Sequence, residues 1–275
     1  MKITAQQVNE LRKITGAGMM DCKKALVETD GDQEKAIDYL RKKGQKVAAK
    51  RADREAAEGV VLAKVSDDKK FAATVMINCE TDFVAKNQDF IDYVKSVMDL
   101  AVANRAKNID ELKAMKLGDR TVEESIIEKT GIIGEKIELG KYEIVEATSV
   151  YAYIHPGNRI ASIAGLNKAG EEFAEAGHDV VMQVAAMAPV AVDKDQVPEE
   201  IINREIEIGK DQARQEGKPE AMIEKIAMGK LNKFFKENTL LNQAFIKESK
   251  KSVQQYLQGY DKELTVTGFK RLALS

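Results

Sequence analysis

The chain has 275 residues, 44% apolar and 32% charged, which describes a globular protein of roughly two domains and excludes disordered, collagenous and membrane-spanning classes. No run approaches the about 18 unbroken apolar residues of a membrane helix, and MKITAQQVNELRK lacks the apolar stretch of a signal peptide, so a cytoplasmic location is expected. The net charge of −2 is uneven: residues 1–54 hold 13 Lys and Arg against 8 Asp and Glu, whereas residues 55–275 hold 30 against 37.

In chain order, Thr4-Ala-Gln-Gln7 reads as a capping box, and Val8, Leu11 and Ile14 follow at helical spacing until Gly16 and Gly18. Helical periodicity resumes over Met19 to Glu28. Gly31 breaks it, and Asp32 can cap a third helix with Ala36, Ile37 and Leu40 inward until Gly44. These three helices predict a small N-terminal bundle over 1–45. The charged, alanine-rich stretch that follows has no strong apolar stripe and reads as a linker over 46–58, with a helical conformation left open.

From Gly59 the pattern becomes strand-like. Gly59 to Val65 and Phe71 to Asn78 predict a hairpin across a Ser-Asp-Asp-Lys-Lys turn. A helix with Phe90, Ile91, Val94, Val97, Met98 and Val102 inward comes next, then helical sequence around Val122 to Lys129 and a strand over Lys141 to Ala147. The order then recurs: a hairpin of Ser149 to Ile154 and Arg159 to Leu166 across His155-Pro-Gly-Asn158, a helix from Val180 to Ala188, and a closing strand over Leu264 to Leu274. The expected fold class is therefore α+β: the helical bundle, then a core of two related subdomains, 59–147 and 148–275. The second subdomain is interrupted over 198–236 by an antiparallel helical hairpin, with Ile202, Ile206, Gly209 and Ala213 facing Ile223, Ala227, Leu231 and Phe234. From its spacing alone, this hairpin either packs on its own chain or forms an arm for self-association or partner contact.

Catalytic material is scarce. Cys22 and Cys79 lie far apart without companions, His155 and His178 are the only histidines, and there is no tryptophan, no phosphate-binding glycine loop, no His-Glu-x-x-His and no Gly-x-Ser-x-Gly. No cofactor, metal site or enzymatic activity is expected. The segment Asn78-Cys-Glu-Thr-Asp-Phe-Val-Ala-Lys-Asn87 stands apart because it joins a buried-looking strand to a helix. Two readings stay open: Thr81 or Asp82 caps the helix and Phe83 staples it, or an acid and an aromatic at an exposed corner form a wedge for another protein. Met19 and Met20 cannot both face one core, so one of them is expected at the surface.

Leu11-Arg-Lys-Ile-Thr-Gly-Ala-Gly-Met-Met-Asp-Cys-Lys-Lys-Ala-Leu26 resembles the N-terminal signature of the bacterial elongation factor Ts family. Ile77-Asn-Cys-Glu-Thr-Asp-Phe-Val-Ala-Lys86 resembles its second signature, and Val266-Thr-Gly-Phe269 also fits. The resemblance implies a guanine-nucleotide exchange factor for elongation factor Tu, with a bundle similar to ubiquitin-associated domains, two related core subdomains and a coiled-coil hairpin in the second. It further implies that Thr81, Asp82, Phe83 and Val84 approach the magnesium and switch region of the partner, the aromatic acting as a wedge. Arg12, Met19 and Met20 are implied as contacts to the GTPase domain, and a homodimer through the hairpin is left open. Some members continue into an extra C-terminal helical module after the closing strand, so contacts that depend on such a module are in doubt here. No direct nucleic-acid partner and no membrane partner are expected, the net charge of −2 arguing against strong nonspecific nucleic-acid binding. Two rival classes remain: a ribosome- or RNA-associated adaptor using the basic N-terminal bundle and linker, and a small-molecule enzyme.

Overall fold

The computed structural model describes residues 3–275; Met1 and Lys2, the first two residues of the expected N-terminal domain, lie outside the described residues. Helices and sheets mix along the chain, as an α+β class requires. Packing divides the described residues into two units: 3–62 with Val75–Tyr142 and Leu274–Ser275, and Ala63–Thr74 with Glu143–Ala273.

In the first unit, α1 (Ala5–Thr15) opens on the expected capping box, Thr4 and Gln7 accepting each other's backbone N–H, and ends at Gly16 with φ 67°. After α2 (Met19–Glu28), α3 (Gln33–Arg51) starts where the Asp32 carboxylate accepts the Lys35 N–H at 3.0 Å. Val8, Leu11, Cys22, Ala25, Leu26 and Ala36 form a small core, with Ile37 and Leu40 at its margin. Ile14, expected inside, is 61% exposed because it occupies the last turn of α1, beyond the edge of that small core.

Strands β1 (Glu58–Val65) and β2 (Phe71–Cys79) flank a turn in which Lys69 takes φ 56°. Every residue of β2 is buried, which is why its sequence runs apolar without alternation. The four-residue helix α4 (Asp82–Ala85) leads to α5 (Gln88–Ala103), which buries Phe90, Val94, Val97, Met98 and Val102 as expected. Then come α6 (Ile109–Ala114), β3 (Lys116–Leu117), β4 (Arg120–Thr121), α7 (Val122–Ile133) and β5 (Glu138–Glu146). The first three-stranded sheet has the order β1-β2-β5.

The third helix does not stop at Gly44. It runs on to Arg51, and Gly44 lies where α3 crosses α7 at Gly131: a Cβ built on Gly131 would stand 2.4 Å from the Gly44 Cα. Gly44 is therefore a close-approach residue and not a helix terminator.

The second unit contains β6 (Ser149–Ile154) and β7 (Ile160–Leu166), antiparallel across the expected His155–Asn158 turn, in which Gly157 and Asn158 take φ 91° and 55°. Helix α8 (Ala174–Met187) ends at Ala188, just before Pro189, and the hairpin α9 (Glu199–Gln215) and α10 (Glu220–Asn238) follows. Gly209, Ala213, Ile223, Ala227 and Leu231 are buried along the predicted seam. The chain closes through β8 (Ala244–Phe245), β9 (Glu248–Ser252), α11 (Val253–Gln258) and β10 (Val266–Ala273), giving a second sheet of order β10-β7-β6.

Periodicity placed the start of α8 at Val180, six residues late, because its inner face is partly polar. Asp179 and Gln183 are 2% and 0% exposed. The Asp179 carboxylate accepts from Lys247 Nζ at 2.6 Å and from the Tyr256 hydroxyl at 2.7 Å. Gln183 donates to the Ala244 carbonyl at 3.1 Å and accepts from the Ile246 N–H at 2.9 Å. Buried polar groups must be paired, and here the partners are the β8–α11 segment, which hydropathy did not reveal. His178 lies inside α8 with its ring edge-on to Tyr153.

Candidate partner-binding site

The corner between β2 and α4 presents the acid–aromatic segment. Its base is clamped. Cys79, the last residue of β2, is buried, and its thiol donates to the Thr81 carbonyl at 3.2 Å. Burial, with Glu135 and Glu58 nearby, pushes that thiol up to about 12, so it stays neutral. Thr81 donates its backbone N–H and hydroxyl to the Glu135 carboxylate at 3.0 and 2.6 Å. Glu135 directly follows Gly134, whose φ of 80° ends α7 and turns the chain toward the corner. Glu80 accepts the Lys136 N–H at 2.6 Å, and both its oxygens accept from one Arg51 guanidinium nitrogen at 2.8 Å. Two segments distant in sequence, the end of α3 and the residues after α7, thus grip adjacent positions of the corner.

The tip is free by comparison. Phe83 is 83% exposed. Thr81 stands at the N-cap position of α4, but its hydroxyl is spent on Glu135 and caps nothing. Neither candidate caps as the cap-and-staple reading had it: the Thr81 hydroxyl is on Glu135, Asp82 is the first residue of α4 with its carboxylate on Lys86, and Phe83 is exposed and does not fold back to staple. Asp82 pairs with Lys86 at 2.6 Å, and the Lys86 hydrogen bond holds its carboxyl below the usual carboxylate range, so Asp82 is charged at neutral pH. Val84 is half-buried in α4.

Arg12, Met19 and Met20 sit on α1 and α2, all exposed. Met19 and Met20 do not both face the core, as expected; the structure goes further and leaves both at the surface, Met19 53% and Met20 73% exposed, with Ile14 and Val27 adding to the apolar surface of the bundle. The reason is that Cys22, Ala25 and Leu26 alone supply the inner face of α2. Sequence reasoning missed the positioning residues Arg51, Glu80 and Glu135. Glu80 and Glu135 are 55 positions apart, and nothing in a single sequence links the Glu135 side chain to Thr81. Among the described residues no cluster of three or more His, Cys, Asp or Glu could hold a metal, and no helix is long and apolar enough to cross a membrane.

The clamp carries a pH prediction. The Lys136 N–H, and after it Arg51, lower the Glu80 pKa below its ordinary value. A carboxylate with a depressed folded pKa stabilises fully above its unfolded value of about 4.3, and that contribution is lost as pH falls through the lower folded value. The stability gap between wild type and Arg51→Gln should therefore be constant above about pH 5 and shrink below about pH 4. Urea denaturation at a series of pH values measures it; a gap that widens on acidification would contradict the assignment.

A family model described as Elongation factor TS matches residues 80–275. The chain is 53% identical over 275 residues to an Elongation factor Ts of Cytophaga hutchinsonii, covering 99% of both chains. It is 53% identical over 273 residues to that of Christiangramia forsetii, again at 99% of both, and 49% identical over 276 residues to that of Porphyromonas gingivalis, covering 100% of this chain and 99% of the other. The chain belongs to the elongation factor Ts family. Membership makes this elongation factor Ts homologue a component of translation elongation, and the similarity to full-length relatives takes in the bundle that the family model does not reach.

Proposed function

We propose that this chain is a guanine-nucleotide exchange factor that binds GDP-loaded elongation factor Tu in the cytoplasm, disturbs its magnesium and switch region, and promotes GDP release without covalent chemistry of its own. The observation that carries the reading is Phe83, a large apolar side chain held 83% exposed at a corner whose base is gripped by Glu135, Arg51 and Lys136. A rigid exposed aromatic fits insertion between packed elements of another protein. Beside it, the ionised Asp82 fits the disturbance of a network organised around a divalent cation, by repulsion or by competition for its ligands. Thr81 and Val84 flank the pair and set its direction.

Exchange follows from differential affinity. A factor that binds the nucleotide-free GTPase more tightly than the GDP-bound one weakens GDP by the same ratio, and equal affinity for both states would shift nothing. Arg12, Met19 and Met20 are assigned to docking on the GTPase domain, where their contacts persist in both states. The exposed Ile208, Met222 and Met228 on the hairpin give a homodimer through α9 and α10 an apolar surface to use.

The direct test adds the chain to elongation factor Tu loaded with fluorescent GDP and follows release by stopped flow. Release should accelerate with factor concentration and saturate; no acceleration at saturating factor overturns the proposal. Met20→Ala should raise the half-saturating concentration about fivefold, the equivalent of about 1 kcal/mol, with an unchanged plateau rate. A lowered plateau with unchanged half-saturation would remove Met20 from the docking role.

A further inference from the structure

Most lysines of the second unit with a defined partner are matched by acids: Lys168 meets Asp261 and Glu263, Lys210 meets Glu207, Lys230 meets Glu216 and Lys247 meets Asp179. One place breaks this pattern. A cleft of about 530 Å³, formed by the C-terminal end of α10, β9 and the turn before α9, is lined by Lys194, Lys236, Lys250 and Lys251 and by no Asp or Glu. Lys251 is engaged by Glu248 at 2.9 Å, but Lys194, Lys236 and Lys250 have no carboxylate partner among the described residues. Of the acids adjacent in sequence, Asp193 is taken up by the Asn242 amide and the Lys194 backbone N–H, both at 2.7 Å, Glu237 faces Lys233 at 3.8 Å, and neither Asp195 nor Glu237 lines the cleft.

Gathering like charges in one concavity is unfavourable in the free protein, and it is the more notable in a chain of net charge −2. An anion relieves it. The cleft also holds an aromatic: Phe235 lines it, half-buried and edge-on to Phe234 with ring centroids 6.2 Å apart, while Asn232 adds an amide. Ammonium groups around an aromatic surface match a phosphodiester chain with unstacked bases better than an acidic peptide, whose carboxylates would leave the ring unused. We propose that this cleft binds single-stranded RNA, Lys194, Lys236 and Lys250 neutralising phosphates and Phe235 offering an apolar surface to a base. This is a different surface from the basic N-terminal bundle and from the Phe83 corner.

The test is fluorescence anisotropy of the full chain with a fluorescein-labelled 12-nucleotide oligouridylate, titrated between 50 and 200 mM salt. Three phosphate contacts on a single strand predict a slope of log affinity against log salt of about −2, or roughly a 15- to 20-fold loss across that range. Lys194→Gln/Lys236→Gln/Lys250→Gln should bind at least about tenfold more weakly at 50 mM salt and lose most of the slope. All three side chains are exposed, so circular dichroism should show an intact fold, and stimulated GDP release should be unchanged. Absence of binding by the wild-type chain overturns the proposal. So does equal binding by the triple variant, which would move the site to the N-terminal bundle, or equal affinity for a labelled 12-residue polyglutamate, which would reduce the cleft to a general polyanion surface.

Discussion

Gly131→Ala is expected to lower the unfolding free energy by about 2 kcal/mol, whereas Gly44→Ala is expected to be neutral or slightly stabilising. The two glycines face each other where α3 crosses α7, yet they are not equivalent. A Cβ on Gly131 would stand 2.4 Å from the Gly44 Cα and 3.3 Å from its carbonyl carbon, all backbone atoms that cannot rotate away. A Cβ on Gly44 would meet the Gly131 Cα at 3.6 Å, an ordinary contact. Each substitution gains about 1 kcal/mol in helix propensity, but for Gly131 the overlap forces the helices apart, an overpacking cost of about 3 kcal/mol. Because α3 ends in Arg51, which grips Glu80, that separation should also loosen the corner. Denaturant titration of both variants measures the difference. A Gly131→Ala chain as stable as wild type would show that the crossing relaxes freely.

Phe83→Ala is expected to slow the plateau rate of stimulated GDP release about 30-fold, the equivalent of about 2 kcal/mol, while leaving the stability of the chain within about 0.5 kcal/mol. The two halves of this expectation have one cause. A side chain 83% exposed contributes little to its own fold, so its large apolar surface is available to a partner. The plateau and not the half-saturation should change, because a wedge acts on the state from which nucleotide leaves and docking acts on both. Stopped-flow release over a range of factor concentrations, with a parallel urea melt, separates the terms. An unchanged plateau would exclude Phe83 from the exchange step, and a large loss of stability would make it a structural residue.

The clamp beneath Phe83 shows where sequence reasoning ends. Cys79, Glu80 and Thr81 were visible as part of one unusual strand-to-helix segment, but Thr81 was equally readable as an N-cap. Only the Glu135 carboxylate, brought in after α7, decides that its hydroxyl is engaged elsewhere. Likewise Gly44 read as a stop, because a glycine after an apolar stripe is the common helix terminator. Only the opposing Gly131 makes it a crossing point.

What the sequence determined by itself was local: the Thr4 capping box, the Asp32 cap, the His155–Asn158 turn, the seam of the α9–α10 hairpin and the two signatures that carry the family resemblance. These depend on residues within a few positions of one another, where spacing fixes which groups can meet. Tertiary structure alone decided that Met19 and Met20 are both exposed, that Asp179 and Gln183 are buried, and that Phe83 projects from a clamped base. Each depends on a partner tens of residues away. A polar residue reads as surface until its distant partner is known, and an apolar one reads as core until none is found.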